Sequence, residues 1–378
     1  MLTWAALSAG SNPCVIKEFV YPTAWDGHYP KGVQEYYRQH PKVKPSAKKK
    51  ALIDRHLDLA RTRWDLIANS RIGIVQPNTL TDRQILDTRL ESAHPPAVAA
   101  LGQDRDVAYG RISYHLKARP SPYRSFEAFV DFANPEMGGG VMESGFAQEE
   151  ILLLETSFLP WVAALQARPA RGVNIFREVS LKELDRKPVV VRLRRFLEVA
   201  NADQVYGRKL EGAKPFDPAR CLVPLPSPMD IYVTAMAAPD LRRNRGSVPQ
   251  PYPQPTIAAM VVLATRAFYD TLLAQAKDGK PLVIHTGNWG CGAFGNSRRT
   301  VWAIQRVAME TAYLLFCRQT GTQPPMDFYY DAYDQPSVAE ANEASNRFST
   351  SPAKATVEVY TRWICQMTHV FPAWQTKP

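Results

Sequence analysis

Two glutamates, Glu149 and Glu150, stand at the head of a strongly apolar run, Ile151-Leu152-Leu153-Leu154, directly after the neutral amide of Gln148. Acids beside so apolar a segment are hard to justify as packing, because a buried carboxylate gives up its hydration. The chemistry open to a placed carboxyl group is proton transfer to or from a reacting atom. The plain structural alternative is a cap on a helix start, a role that glutamate often performs. Upstream, three consecutive glycines, Gly138, Gly139 and Gly140, have no place inside a helix or a paired strand. They suit a loop whose backbone takes left-handed angles and lets a bulky ligand approach its amides.

A second glycine-rich block runs Thr286-Gly287-Asn288-Trp289-Gly290-Cys291-Gly292-Ala293-Phe294-Gly295-Asn296. It follows the short apolar segment Leu282-Val283-Ile284-His285 and precedes Ser297, a natural helix cap. Glycines at these positions let successive N–H groups turn inward and form a concave anion site, to which the following helix adds its positive end. A diphosphate fits such a nest without a lysine. A tight strand-to-helix turn that binds nothing is the competing reading.

Together the blocks carry a resemblance. Val130-Asp131-Phe132-Ala133-Asn134, the glycine triplet and Gln148-Glu149-Glu150, followed by the second block, are similar to the signatures of the poly(ADP-ribose) glycohydrolases. These are macrodomain-fold enzymes that hydrolyse ADP-ribose polymer. The resemblance implies a three-layer α/β/α macrodomain with a mixed sheet and an N-terminal helical extension. It implies that Glu150 protonates the departing ribose oxygen and later takes a proton from the attacking water. Glu149 is implied to bind sugar hydroxyls and Asn134 to hold the ribose, while Asp131 anchors the loop and Gln148 bridges loop and ligand. Gly138, Gly139 and Gly140 then line the ribose, and Asn288, Gly290, Cys291, Gly292, Ala293 and Phe294 form the diphosphate loop. A ligand-contacting aromatic falls at Tyr330 or Tyr333. Asp230 to Asp240 is closer to the microbial branch than to the animal one, and the animal clasp loop is not visible. Tyr252 is a candidate for the adenine contact, and Pro120-Ser121-Pro122 stands where the animal enzymes carry an acidic residue.

The acid role creates a tension. A helix start favours the charged carboxylate, whereas a general acid at neutral pH needs its proton held more tightly. Burial beside Phe132, Phe146 and Phe294, with mutual repulsion of Glu149 and Glu150, is expected to reverse the balance.

The elements that must position these residues read as an alternation of strands and helices. Lys48-Lys49-Lys50 opens a helix with an apolar stripe through Ile67-Ala68, the lysine run being read as its solvated start. Thr79 to Asp82 caps another helix through about Glu91. Strand-like alternation follows at 108–114 and at Phe126 to Phe132, the latter running into the glycine triplet. Val189 to Leu197, Met229 to Ala237, Pro281 to His285 and Asp327 to Asp334 are further strands, and Ile257 to Ala274 and Ser297 to Cys317 are helices. Proline-rich stretches at 224–228 and 249–255 are expected to be loops or lids. The resulting division is an accessory region 1–96, helical after 46, a catalytic core 97–340, and a C-terminal helical segment 341–378. Residues 1–45 show little periodicity.

The chain has 378 residues, with 46 basic against 36 acidic, a formal net charge of +10. That surface attracts polyanions, ADP-ribose polymer and nucleic acid alike. Five cysteines without a Cys-x-x-Cys pair favour a reducing compartment. No histidine sits at metal-ligand spacing, and no metal or other cofactor is expected. An intracellular protein, cytoplasmic or nuclear, is expected, with export as an effector open; no membrane partner and a monomeric state are expected too. The expected partners are poly(ADP-ribose) or ADP-ribosylated proteins, with ADP-ribose as product. Two alternatives stay open: hydrolysis of mono-ADP-ribosyl groups, and a module that binds ADP-ribose without cutting.

Overall fold

A computed structural model of the chain describes residues 16–20, 33–34, 37–38, 41–68, 71–75, 78–90, 127–135, 137–159, 184–200, 202–241, 252–276, 282–324, 326–331, 335–348, 351–352 and 354–370. In chain order its elements are β1 (Ile16–Val20), α1 (Ala47–Thr62), α2 (Trp64–Ala68), β2 (Arg71–Val75), α3 (Asp82–Leu86), β3 (Ala128–Ala133), α4 (Gln148–Leu154) and β4 (Val189–Val199). Short helical turns between 202 and 221 lead to β5 (Leu222–Ala237), α5 (Gln254–Ala276), β6 (Leu282–Gly287), α6 (Arg298–Thr320), β7 (Met326–Asp331), α7 (Gln335–Phe348) and α8 (Val357–Val370). The expected strand at 108–114 lies outside the described residues, as do residues 249–251, while Gln254 and Pro255 begin α5 rather than a lid.

The strands form one mixed sheet in the order β1-β2-β4-β5-β3-β6-β7. β5, β3, β6 and β7 run parallel, while β1, β2 and β4 pair antiparallel along the other half. Side chains alternate across β3. Phe129 and Ala133 enter one core with α1 and α4 residues, whereas Ala128 and Val130 enter a second with α5, α6, α7 and α8. Helices therefore cover both faces, giving a three-layer α/β arrangement, as the resemblance implies.

Local signals account for most of the elements. Ser46 caps α1 by accepting the Lys49 N–H, and Thr81 with Gln84 closes a capping box on α3, which stops at Leu86 rather than near Glu91. Ser297 caps α6 and Gly321, at φ 65°, ends it. α5 is long and apolar enough to cross a membrane by length and composition, yet most of it is buried in the second core.

Three features depart from the sequence expectation. The 1–96 region contributes β1 and β2, two five-residue strands that pair with each other, β2 pairing also with β4, which is remote in sequence. Prolines 224–228 lie within β5 rather than in a lid. Pro224 pairs opposite Leu197 and Met229 opposite Arg195, so Leu225, Pro226, Ser227 and Pro228 bulge out across from Phe196. Proline has no ladder donor to lose there. The expected boundary between 340 and 341 falls inside α7, which reaches the second core through Ala344 and Phe348.

The C-terminal end of α4 is tied to β4 through Glu155. One carboxylate oxygen accepts the Val199 N–H at 2.6 Å and the other lies 3.4 Å from Arg195 Nε, both side chains being buried. The Glu155 carbonyl also accepts the Phe196 and Leu197 N–H groups at 3.1 Å. Burial, which outweighs the arginine, pushes the Glu155 carboxyl up to about 7. Arg195→Met leaves that carboxylate without its counter-charge and is expected to destabilise by about 3 kcal/mol at pH 8. The loss shrinks at pH 5, where Glu155 takes up a proton. Urea unfolding at the two pH values measures the difference, and equal midpoints for variant and wild type would remove the tie.

Candidate active site

The carboxyl ends of β5, β3, β6 and β7 share one edge of the sheet. β3 and β6 pair at Ala128 with Ile284 and at Phe129 with His285, and the pairing then stops although both strands run on. From β3 the chain passes to α4 on one face; from β6 it passes to α6 on the other. Ligands of open α/β sheets bind at such a parting of connections, beyond the strand ends. Both glycine blocks issue there, one from each strand.

Gln148 plugs the β3 edge that β6 leaves. Its side-chain amide donates to the Val130 carbonyl and accepts from the Phe132 N–H, each at 3.0 Å. One donor and one acceptor of the amide go to the strand, so Gln148 anchors α4 to β3.

Glu149 closes the glycine loop onto the helix. One oxygen accepts the Gly138 N–H at 2.8 Å, and the other accepts the Asn134 backbone N–H at 3.3 Å and its side-chain amide at 3.2 Å. Glu150 accepts the Gly140 N–H at 2.9 Å on one oxygen and the Ala147 N–H at 2.7 Å on the other. The second bond is half of a capping box, since Ala147 at the N-cap has no side-chain acceptor to complete it. The capping role is thus real for Glu150 and coexists with its place at the loop. Gly138 and Gly139 adopt positive φ, 111° and 40°, and a Cβ on Gly139 would collide with the Glu149 carboxylate and the Asn134 amide. A side chain at Gly139 would have to move the acid, and at Gly138 the positive φ alone strains any other residue.

Asp131 does not anchor the loop. It lies inside β3, fully buried, and among the described residues neither carboxylate oxygen has a hydrogen-bond partner. The anchoring expected of it is performed by Glu149, because the loop folds back over α4 and its amides reach the helix rather than the strand. Burial, reinforced by the charge of Glu150, holds the Asp131 carboxyl well above the usual range. Glu149 is raised in the same way, by burial and then by Asp131 and Glu150, against the lowering effect of the N–H groups it accepts.

The second block is a tight turn with free amides. Trp289 is buried and donates its indole N–H to the Met236 carbonyl at 3.0 Å, pinning the turn to the end of β5. Gly290 has φ 69°, and a Cβ there would strike Ala238. The Cys291 N–H closes onto the Asn288 carbonyl at 3.0 Å, and the Cys291 thiol is buried. Among the described residues the N–H groups of Gly292, Ala293 and Phe294 take no backbone hydrogen bond, and Gly292 and Ala293 are exposed. These N–H groups stand ahead of the positive end of α6, where an anion would meet them. Tyr330 on β7 donates to the Asn288 side chain at 3.1 Å. Tyr252 is buried and spends its hydroxyl on Asn296 and the Ser297 N–H. Tyr333 lies outside the described residues. Of the expected site residues, Asp131, Asn134, Gly138, Gly139, Gly140, Gln148, Glu149 and Glu150 gather at the end of β3. Asn288, Gly290, Cys291, Gly292, Ala293, Phe294 and Tyr330 gather at the ends of β6 and β7.

The N-terminal region supplies a wall that sequence reasoning missed. Tyr37 donates to the Met142 carbonyl at 2.9 Å, Lys49 to Gly145 at 2.6 Å, and His56 Nδ1 lies 2.8 Å from the Leu154 carbonyl. The lysine run is not simply a solvated helix start. Lys50 pairs with Asp54 in solvent, but Lys49 is fully buried. The signal was present: Lys49 shares the helical spacing of Leu52, Ile53, His56, Leu59 and Ala60. A separate open cavity of about 800 Å³, lined by Lys209, Lys214, Phe216 and Arg220 among others, includes none of the glycine-block residues.

Asp131 gives a sign-definite test. Its proton affinity in the fold exceeds that of the unfolded chain, near 4, so folding takes up a proton and stability falls as pH rises. Asp131→Asn removes this penalty. The melting temperature of the variant relative to wild type is expected to climb steadily from pH 4 to pH 8. A difference independent of pH would mean that the carboxyl is not raised.

No family model and no curated protein matches this chain. Among solved structures it is similar to the poly(ADP-ribose) glycohydrolase of Deinococcus radiodurans in complex with ADP-ribose, at 18% identity over 67% of this chain and 87% of that one, TM-score 0.38. It is also similar to the poly(ADP-ribose) glycohydrolase of Thermomonospora curvata, at 16% identity over 88% of this chain and 93% of that one, TM-score 0.35. The same enzyme bound to the inhibitor ADP-HPD matches at 17% identity over 87% and 92%, TM-score 0.35.

Proposed function

We propose that this protein is a macrodomain-type poly(ADP-ribose) glycohydrolase, cutting ribose–ribose bonds of ADP-ribose polymer on modified proteins and releasing ADP-ribose. One observation carries the reading. The acid-bearing glycine loop after β3 and the anion nest after β6 issue side by side from strands that pair and then part. A ligand with a diphosphate on the nest thereby presents its adjoining ribose to Glu150.

Each residue then has a defined task. The free N–H groups of Gly292, Ala293 and Phe294 take diphosphate oxygens. Each Glu150 oxygen accepts one backbone N–H, which leaves a further lone-pair site on each for the substrate. Glu150 protonates the departing ribose oxygen, and the oxocarbenium-like centre is then attacked by water whose proton Glu150 takes up. Glu149 acts through the loop, since Gly138 and Asn134 occupy its oxygens, and it holds Asn134 at the ribose. The positive surface charge draws the polyanionic polymer in.

A polymer-ladder assay of wild type, Glu150→Ala and Glu150→Gln tests this, with ADP-ribose affinity followed by calorimetry. Loss of the acid is expected to slow cutting by about 10²–10⁴-fold with affinity kept. An unchanged rate would end the role given to Glu150. Wild type that binds ADP-ribose yet leaves polymer length constant would be a reader, and release only from singly modified protein would make it a mono-ADP-ribosyl hydrolase.

A further inference from the structure

We propose that Lys49 is a positioning residue of this site, a buried cation on α1 that clamps the glycine loop against the Glu150 carboxylate. The inference deepens the reading of Glu150 as proton donor and rests on it. Lys49 is fully buried, donates to the Gly145 carbonyl at 2.6 Å, and sits 4.8 Å above the Phe146 ring. Gly145 in turn packs on the acid: a Cβ built there would lie 3.0 Å from Glu150 Oε1, and one on Gly140 equally close. Ala147, two residues beyond Gly145, gives its N–H to the other oxygen. The ammonium thus grips the segment 145–147, which meets Glu150 at both ends. A buried lysine is costly unless its charge is used. Here its charge acts on Glu150, which lies in a cluster of three buried acids with Asp131 and Glu149.

The surroundings isolate this pair. Lys48 turns away to the Glu211 and Ala213 carbonyls, and Lys50 reaches Asp54 in solvent. Lys209, Glu211, Asp217 and Arg220 on the short turns against α1, and Asp65 on α2, are exposed. On β5, Asp230 is paired with Arg192 and Arg194. The Cys221 thiol, pushed up to about 12, stays neutral. Burial brings Lys49 down to about 8, with the Glu150 charge acting against it. Above that pH the folded chain loses a proton that the unfolded chain keeps, so this titration raises global stability while it weakens the clamp. Alkaline loss of activity is therefore separate from unfolding.

The test uses the full chain as wild type, Lys49→Met and Lys49→Arg. Polymer cleavage is followed from pH 6 to 10, together with hydrogen-exchange protection of the Gly140 and Ala147 amides. Wild-type kcat is expected to fall about tenfold per pH unit above about 8. Lys49→Met should lower kcat about 10- to 100-fold at pH 7 with KM kept, and lose the alkaline limb. Lys49→Arg should restore the rate and show no alkaline limb, since its charge persists. Protection of the two amides should drop above pH 8 in wild type and be low throughout in Lys49→Met. Wild-type protection and an alkaline limb retained in Lys49→Met would overturn the role. If the wild type cuts no polymer, the functional reading fails while the amides still decide the clamp. Should Lys49→Met not fold, constant wild-type protection from pH 7 to 10 overturns the proposal by itself.

Discussion

Backbone N–H groups donated to buried carboxylates hold this site together. Glu149 and Glu150 bind Gly138, Asn134, Gly140 and Ala147, so a loop with little apolar surface of its own is folded onto the first turn of a helix. Desolvating a carboxylate is expensive, and donors aimed at both oxygens offset that cost. The glycines and the acids presuppose each other. A side chain at Gly139 meets Glu149, and side chains at Gly140 or Gly145 crowd Glu150. Removing either partner leaves the other without a reason for its geometry.

The surrounding architecture makes that arrangement useful. Parting of β3 from β6 opens the strand edge, Gln148 satisfies the bared backbone, and connections to opposite faces leave acids on one lip of the parting and amides without backbone partners on the other. The two lips differ in electrostatic character. The β3 lip concentrates Asp131, Glu149 and Glu150, and burial with mutual repulsion raises Asp131 and Glu149. The β6 lip carries N–H groups without a backbone partner among the described residues, ahead of the positive end of α6. A substrate joining an anionic diphosphate to a sugar that must accept a proton complements that asymmetry.

α1 closes the acid lip from outside. Lys49 and His56, two turns apart on one helix face, reach the loop at Gly145 and the end of α4 at Leu154. Burial keeps His56 down to about 4, so it is neutral and its Nδ1–H donates to the carbonyl. The N-terminal region is accordingly structural support for the site, through both this helix and the strands it lends to the sheet.

Sequence alone determined what is encoded by near neighbours. The glycine triplet, the acid pair, the caps at Ser46, Thr81 and Ser297, and the apolar segments that became β3, β4, β6 and α4 are written in short stretches, where backbone sterics and periodicity act directly. It also determined that two glycine-lined turns exist. Tertiary structure decided that they meet, because only pairing of β3 with β6 brings residues 138–150 and 288–296 to one edge. It decided that Glu149 rather than Asp131 anchors the loop, that Gln148 serves the strand, and that Lys49 is buried while Lys50 is not. Those outcomes depend on which remote surface each side chain faces, and desolvation and hydrogen-bond partners are settled only when distant segments pack.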